Sequence, residues 1–480
     1  MSKIFGFISI KRQEPHKQEI PNRIRHFNEF ETPLPYEALA DQATRCMDCG
    51  IPYCHACGCP LSNLIPDWNN MVRLGHWQRA LDLLHATNNF PEITGRICPA
   101  PCEFACILAI NQEPVLIKHI ELQIAEKGWQ EGWIKPEPAN VSTNKRVAII
   151  GSGPAGLSAA QQLVRGGHTV VVFEKSDRIG GLLRYGIPDF KLEKWVIDRR
   201  LAQMQSEGVI FEPDVEVGVD ISARYLSRNF DAVIIATGES VPRDLNIPGR
   251  NLEGIHFAME YLSQQNRRNN GESIPKEKII DAKNKHVIVI GGGDTGADCI
   301  GTAGRQGATQ ITQIELLPQP PTERTSDNPW PYWPKILRTS SSHAEGCQRL
   351  WSILTKSFVG NNQHVTGLHC IKLDWRKDSQ SGHQDYSEIF GSEFELKADL
   401  VLIATGFIHA EHSPLLQKLA LEQNPKGNIK VDSGGMTSAS GVFAVGDCVS
   451  GASLVVNAIQ QGRWIAKRVH QFLINKASND

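Results

Sequence analysis

Eight of the twelve cysteines in this 480-residue chain lie between Cys46 and Cys106. Five of them form the run C-x2-C-x4-C-x2-C-x-C-P, and three follow as C-x3-C-x3-C. Chains that wrap iron–sulfur clusters use short cysteine spacings of this kind, with a Cys-Pro that commonly serves the neighbouring cluster. Each cubane takes four ligands, so this number of cysteines suits two cubanes by count alone.

Zinc sites and disulfides are the alternatives for these cysteines. A zinc ribbon usually separates its C-x2-C pairs by roughly 15–20 residues, whereas only four residues lie between the pairs 46/49 and 54/57. In a reducing compartment a dense cysteine cluster is more often a metal site than a disulfide framework. The redox motifs downstream also favour iron.

A glycine motif follows in the stretch KRVAIIGSGPAGLSAAQQLVRGGHTVVVFEK (145–175). Its pattern predicts a strand, a tight turn, a helix and a second strand that ends on an acid. The glycines let the backbone approach a pyrophosphate at the helix N-terminus, and an acid about 20 residues on takes ribose hydroxyls. The residues expected at this dinucleotide are Gly151, Gly153, Pro154, Ala155, Gly156, Glu174 and Lys175.

The same motif recurs in KHVIVIGGGDTGADCIGTAGRQGA, so a second nucleotide site is expected. One site for a flavin and one for a nicotinamide hydride donor is the simplest interpretation. Glu315 stands where an acid favours NADH, whereas Arg324 could pair with the 2′-phosphate of NADPH, so the donor stays open at this point. The expected binding residues are Gly291, Gly293, Asp294, Thr295, Gly296, Glu315 and Arg324.

Further loops are expected to return to the flavin. The segment GGLLRYGIP (180–188) suits a loop beside an isoalloxazine ring, although a plain turn is the alternative. Two apolar strands end in A-T-G, at 236–238 and 404–406, as in flavoenzymes that bind two dinucleotides. A third strand ends in Gly-Asp before a helix, where the aspartate binds the flavin's ribityl chain or merely caps the helix. The candidate residues are Gly181, Leu182, Arg184, Thr237, Gly238, Gly406, Gly446 and Asp447.

The elements that must position these motifs belong to a soluble multidomain chain. Its length suggests two to four domains, and 41% hydrophobic with 21% charged residues is ordinary for a globular protein. A net charge of −2 does not favour nucleic acid or an anionic membrane, and no signal peptide or membrane span is evident, so a cytoplasmic location is predicted. Residues 1–40 are expected to form a loosely structured arm, and residues 361–398 an antiparallel insertion with a polar loop.

The segments CMDCGIPYC, GCPLSNLIP and TGRICPAPCE, followed by the first glycine motif, resemble the small (β) subunits of glutamate synthases. The same module is similar to the N-terminal part of dihydropyrimidine dehydrogenase. The resemblance implies that one [4Fe-4S] cluster is held by Cys46, Cys49, Cys54 and Cys106, and the other by Cys59, Cys98, Cys102 and Glu121. The count of cysteines would instead choose Cys57 over Glu121.

The resemblance also implies an α/β fold. A helical iron–sulfur domain (1–144) would precede two Rossmann-like, three-layer domains of the flavin disulfide-reductase type. These would be a discontinuous FAD domain (145–250 and 405–480) and an NAD(P)H domain (251–404).

The implied activity is oxidation of NAD(P)H, with NADPH favoured, at FAD. Electrons would leave through two clusters, since residues 174–298 offer no dithiol. A large (α) subunit would then make L-glutamate from L-glutamine and 2-oxoglutarate. No acid–base residue is expected, because hydride transfer requires positioning. The alternatives are a reductase that serves ferredoxin or another acceptor, and a non-enzymatic scaffold.

Overall fold

The structure is a computed structural model that describes residues 6–377 and 384–477. The first five residues of the N-terminal arm and residues 378–383 of the polar loop lie outside this range. Residues 6–144 form a helical unit with one short antiparallel strand pair, β1 with β2. Its elements are α1 (Gly6–Ser9), β1 (His16–Lys17), α2 (Ile20–Arg23), β2 (Glu31–Thr32), α3 (Tyr36–Thr44), α4 (Ile65–Arg73), α5 (Trp77–His85), α6 (Pro91–Ile97), α7 (Pro101–Phe104) and α8 (Ile117–Gln130), with a π-helical turn at Cys54–Gly58 and a 3-10 turn at Ile107–Ile110.

The N-terminal arm is ordered, so the expectation of a loosely structured segment is wrong for the described part of it. Arg12 pairs with Glu103 at 2.8 Å, and Arg23 pairs with Glu345 at 2.8 Å with both side chains nearly buried. Phe30 is also buried. The partners lie up to hundreds of residues away in sequence, so the local polar composition did not predict this packing.

The chain then forms the greater part of a first sheet. Residues 147–150, 170–173 and 232–235 of its strands are apolar and buried, because helices or loops cover both faces of a parallel sheet. The elements are β3 (Arg146–Ile150), α9 (Pro154–Arg165), β4 (Thr169–Phe173), α10 (Leu182–Tyr185), α11 (Lys194–Glu207), β5 (Ile210–Glu212), α12 (Ala223–Asn229), β6 (Ala232–Ile235) and β7 (Val241–Pro242).

A second sheet and an antiparallel insertion follow. The insertion pairs β12 with β13, and β13 with β14 and β15, as predicted, although it begins earlier, at Ile353. The elements are β8 (Ile255–Phe257), α13 (Ala258–Asn269), a 3-10 turn (Lys276–Lys278), β9 (His286–Ile290), α14 (Asp294–Gln306), β10 (Gln310–Ile314), α15 (Ser341–Ala344), β11 (Gln348–Leu350), β12 (Ile353–Asn361), β13 (His364–Lys377), β14 (Gln384–Glu388), β15 (Phe394–Lys397) and β16 (Leu400–Ile403).

The last part of the chain returns to the first sheet through β17 (Phe407–His409), α16 (Pro414–Lys418), β18 (Val442–Ala444), α17 (Asp447–Ser450) and α18 (Val455–Ala477). The first sheet has the order β18-β6-β3-β4-β5 and the second the order β11-β10-β9-β16-β8. Every pair within these two sheets is parallel. This is the α/β fold with two Rossmann-like sheets that the sequence predicts. The domain boundaries at 144/145, 250/251 and 404/405 stay predictions.

Candidate functional site

Four cysteines of the helical unit line one small cavity, which we call the first cysteine cavity. They are Cys46, Cys49, Cys54 and Cys106. Burial raises the pKa of Cys46 to about 11 and raises that of Cys54 further, so thiolates in this cavity require a compensating positive charge. An iron centre would supply the positive charge that stabilises them, and the donor chemistry therefore fits a cluster.

A second cavity in the same unit is lined by Cys59, Cys98, Cys102 and Glu121. Burial raises the pKa of Cys59 to about 11 and that of Cys98 to about 12. The structure thus brings together each of the two sets of four residues that the resemblance implies. Their role as cluster ligands stays a prediction.

Glu121 and Cys57 lie in opposite environments. The Glu121 carboxylate is buried, and burial raises its pKa to about 7. It accepts hydrogen bonds from Asn63 Nδ2 at 3.3 Å, from Asn88 Nδ2 at 3.2 Å and from the Thr94 hydroxyl. Cys57 is exposed, and its thiol donates to the Tyr53 carbonyl at 3.4 Å. The placement therefore favours Glu121 as the fourth donor of the second cavity.

The zinc alternative requires donors that converge on a single point. Within the described ranges, no group of three or more His, Cys, Asp or Glu side chains is arranged to hold one metal ion. The cysteines line spaces instead.

The first glycine loop has the shape that a pyrophosphate site requires. Gly151 has φ +103°, and a Cβ added there or at Gly156 would come within 3.0 Å of backbone oxygen. A Cβ at Gly153 would meet nothing within 4 Å. Gly153 therefore faces open space at the N-terminus of α9, where backbone N–H groups attract phosphate.

The acid of the first motif is held rigidly beside this loop. Glu174 is buried and accepts hydrogen bonds from Ser152 N at 3.1 Å and Ser176 N at 2.9 Å. The predicted GGLLRYGIP loop folds over the same place, since a Cβ at Gly181 would lie 3.0 Å from Gly153 Cα. These contacts bring Glu174 and Gly181 close to the first glycine loop.

Other predicted flavin residues have protein partners of their own. Lys175 pairs with Glu411 at 2.8 Å on the surface, and Arg184 pairs with Asp198 and donates to the Ile179 carbonyl at 3.1 Å. Leu182 begins α10 and is 43% exposed. Contact of these three side chains with a cofactor stays a prediction.

The chain end returns to the site as predicted for the Gly-Asp motif. Asp447 begins α17, accepts a hydrogen bond from Ser453 Oγ at 2.9 Å and has its pKa raised by burial to about 6. Gly446 has φ +81°. The next helix, α18, lies against α9, because a Cβ at Gly462 would come within 3.0 Å of the Ala155 carbonyl.

The two A-T-G segments lie side by side. The strand β17 after the second segment pairs antiparallel with β7 after the first, and Arg243 N donates to the Gly406 carbonyl at 2.9 Å. Gly238 and Gly406 both have positive φ, +71° and +85°. Thr237 and Gly238 follow β6, so they lie at the carboxyl edge of the first sheet.

The second glycine loop repeats the geometry of the first. Gly291 has φ +119°, and a Cβ at Gly291 or Gly296 would come within 3.0 Å of backbone oxygen. Gly293 again faces open space, while Asp294 and Thr295 form the first turn of α14. Glu315 packs directly on Gly292, which leaves no room for a side chain there.

The two arginines near the second site differ in placement. Arg324 donates to the Tyr332 carbonyl at 2.7 Å and to the Phe104 carbonyl of the helical unit at 3.4 Å. Arg349, which the sequence did not single out, stands opposite Gln313 in the β10–β11 ladder, and its charge acts on the Glu315 carboxyl. Its Nε is buried without a hydrogen-bond partner among the described residues.

A larger cavity of about 960 Å³ lies where the helical unit and the two sheets meet. Its lining includes Cys98 from the second cysteine cavity, Val455 at the start of α18, and Asp294 at the second glycine loop. The cavity has the size expected for a ligand site. It therefore connects the second cysteine cavity with the start of α18 and with the second glycine loop.

Comparison with known proteins agrees with this geometry. Residues 145–462 match the model of the pyridine nucleotide-disulphide oxidoreductase family, and residues 23–133 match that of dihydropyrimidine dehydrogenase domain II, 4Fe-4S cluster. The chain is 50% identical to the glutamate synthase [NADPH] small chain of Mycobacterium tuberculosis, over 98% of this chain and 96% of that one. It is 43% identical to that of Bacillus subtilis, over 99% of both.

The chain belongs to the glutamate synthase small chain family.

Two further comparisons concern a longer relative and a shared fold. Glutamate synthase [NADH] of Schizosaccharomyces pombe is 45% identical over 98% of this chain, which matches only 23% of that longer protein. FprA from M. tuberculosis superposes with a TM-score of 0.55 at 19% identity, over 70% of this chain and 86% of its own. This second likeness shows the fold of the two sheets. Within the described residues, no helix is both long and apolar enough to cross a bilayer.

Proposed function

We propose that this chain is the small subunit of a glutamate synthase, which oxidises NADPH and passes the electrons to a large subunit. The large subunit makes L-glutamate from L-glutamine and 2-oxoglutarate. The observation that carries the proposal is the 960 Å³ cavity shared by Cys98, Val455 and Asp294. The names of the full-length relatives favour a glutamate synthase large subunit over ferredoxin as the acceptor.

FAD belongs at the first glycine loop and NADPH at the second, and the flavin supplies the conversion of a hydride into single electrons. Gly153 and the N-terminus of α9 bind the pyrophosphate of the flavin cofactor, while Glu174 orients its ribose. Gly293 and the N-terminus of α14 do the same for the nicotinamide donor. Both sites open at the carboxyl edges of their sheets, where ligands of such folds bind.

The two cysteine cavities hold one [4Fe-4S] cluster each, and these clusters supply one-electron transfer. Cys98 lines both the second cysteine cavity and the cavity of about 960 Å³, which supports a place for this cluster close to the flavin. Glu121 differs from the cysteines in being a harder, oxygen donor. A carboxylate ligand therefore changes the charge around that cluster.

The NADPH site contains an acid, Glu315 at the end of β10, and a cation, Arg349 on β11, and both act on the ribose. Glu315 accepts hydrogen bonds from ribose hydroxyls, and Arg349 pairs with the 2′-phosphate that distinguishes NADPH from NADH. Arg324 and Arg349 each donate to a backbone carbonyl, but the charge of Arg349 acts on the Glu315 carboxyl, so we assign this role to Arg349. The predicted cytoplasmic location is retained within this proposal.

Cofactor analysis of the anaerobically purified chain tests the proposal. We expect one FAD and about eight irons with matching labile sulfide per chain, because each cubane contributes four of each. Stoichiometric zinc without labile sulfide would contradict it.

A further inference from the structure

Asn69 is a buried side chain without a visible partner. It lies on α4, has no exposed surface, and both its Nδ2 and its Oδ1 lack a hydrogen-bond partner among the described residues. Leaving a buried donor or acceptor unpaired costs roughly 1–3 kcal/mol, and most such groups in native proteins are satisfied. A group of this kind indicates an absent partner.

The same side chain lines the first cysteine cavity. Cys46, Cys49, Cys54 and Cys106 surround this space together with Asn69. The other side chains that line it are apolar, apart from Tyr53. Asn69 is thus the amide available to whatever the four thiols hold.

We propose that Asn69 Nδ2 donates a hydrogen bond to a sulfur of the cluster held in the first cysteine cavity and thereby raises the reduction potential of that cluster. The Nδ2 end suits this position because thiolate and sulfide only accept hydrogen bonds. Donors to cluster sulfurs stabilise the more negative, reduced form. The proposal rests on the proposed function, since it requires the cluster.

The second cysteine cavity has no equivalent free amide among the residues that hold Glu121. Asn63 and Asn88 both donate to the Glu121 carboxylate. Their Nδ2 groups therefore have acceptors already, whereas that of Asn69 does not. The effect of Asn69 is confined to the cluster of the first cysteine cavity, because Asn69 lines that cavity and not the second one.

The test is an EPR-monitored redox titration of the whole chain with its cofactors. Asn69→Leu keeps the approximate side-chain volume and removes the amide. We expect the midpoint potential of one cluster to fall. At a fixed potential, the ratio of its reduced to its oxidised form should then drop roughly fivefold to tenfold, because one hydrogen bond is lost. A tenfold drop is about 59 mV for one electron. The other cluster and the flavin should titrate unchanged.

Asn70→Leu is the matched control. Asn70 follows on the same helix, and its Oδ1 accepts from Arg73 at the half-buried surface, at 2.9 Å. Both cluster midpoints should remain at the wild-type values in this variant. An Asn69→Leu protein with two intact clusters and unchanged midpoints would overturn the proposal, as would an upward shift.

A second measurement tests the proposal even if the Asn69→Leu variant fails to assemble its clusters. Pulsed EPR of the wild-type chain, labelled with ¹⁵N in asparagine side chains, should show an amide nitrogen coupled to the cluster whose signal is lost in Cys46→Ser. Absence of that coupling overturns the proposal. Iron and sulfide analysis of the same sample separates the outcomes, because missing clusters refute the proposed function itself, whereas intact clusters without coupling refute only the role of Asn69.

Discussion

At the scale of single residues, burial separates candidate ligands from neighbouring cysteines. The sequence count treats Cys57 and the other seven clustered cysteines alike, but Cys57 is exposed. Glu121 lies fifteen residues after Cys106 in the chain, on α8, and lines the second cysteine cavity. Spacing alone left this choice open, because the position of Glu121 depends on how α8 packs.

We predict that Glu121→Ala loses or destabilises one cluster, whereas Cys57→Ser keeps both. The alanine removes a donor from the second cysteine cavity, while the serine alters a surface thiol. Iron content, labile sulfide and EPR signals of the two variants decide between them. Loss of a cubane in Cys57→Ser with two retained in Glu121→Ala would show that the count of cysteines was the better guide.

We predict that Arg349→Ala raises KM for NADPH at least tenfold and changes KM for NADH less than twofold. A charge-assisted hydrogen bond to phosphate contributes about 1.5–3 kcal/mol, which is roughly tenfold or more in affinity. Steady-state assays with an artificial acceptor measure both constants.

Arg324→Ala is the control for that prediction. Arg349, and not Arg324, acts on the Glu315 carboxyl, so the ratio of the two KM values should stay at the wild-type value in this variant. If Arg324→Ala changes the ratio and Arg349→Ala does not, the sequence-based assignment of Arg324 is right.

At the scale of elements, the two strand–loop–helix units were predictable because their chemistry is local. Each glycine has a distinct task that follows from its place in the motif, and the structure places the acids at the expected strand ends. Arg349 and the N-terminal arm were not predictable, because each depends on partners brought in by distant segments. The position of Arg349 follows from the parallel pairing of β10 with β11.

We predict that Gly293→Ala weakens NADPH binding and leaves FAD content and folding unchanged. The position has an ordinary φ of −74° and no protein atom near the added methyl. The methyl would therefore meet only the pyrophosphate. Nucleotide titration and flavin absorbance report the two sites separately, and loss of flavin with normal NADPH binding would mean that the sites are exchanged.

At the scale of the whole molecule, buried ion pairs join the helical unit to the sheets. Arg200 of α11 donates to both carboxylate oxygens of Glu92 on α6, at 2.7 and 2.8 Å, and both side chains are buried. Burial raises the pKa of Glu92, but the Arg200 guanidinium outweighs this and the pKa is lowered. The contact fixes the cluster-bearing unit against the first sheet.

We predict that Arg200→Leu destabilises the chain by about 3–5 kcal/mol, because it leaves a buried carboxylate unpaired. Lys175→Leu, which breaks the exposed pair with Glu411, should cost less than about 1 kcal/mol. Denaturant unfolding of the two variants compares them directly. Equal losses would show that the Arg200 contact does not hold the units together.

Reconstitution with the large subunit of a glutamate synthase tests the central claim most directly. The isolated chain should oxidise NADPH with an artificial acceptor and form no glutamate from glutamine and 2-oxoglutarate. Addition of the large subunit should produce glutamate at the expense of NADPH. Glutamate formed by the chain alone, or NADPH oxidation that never supports glutamate formation when the large subunit is present, would contradict the account.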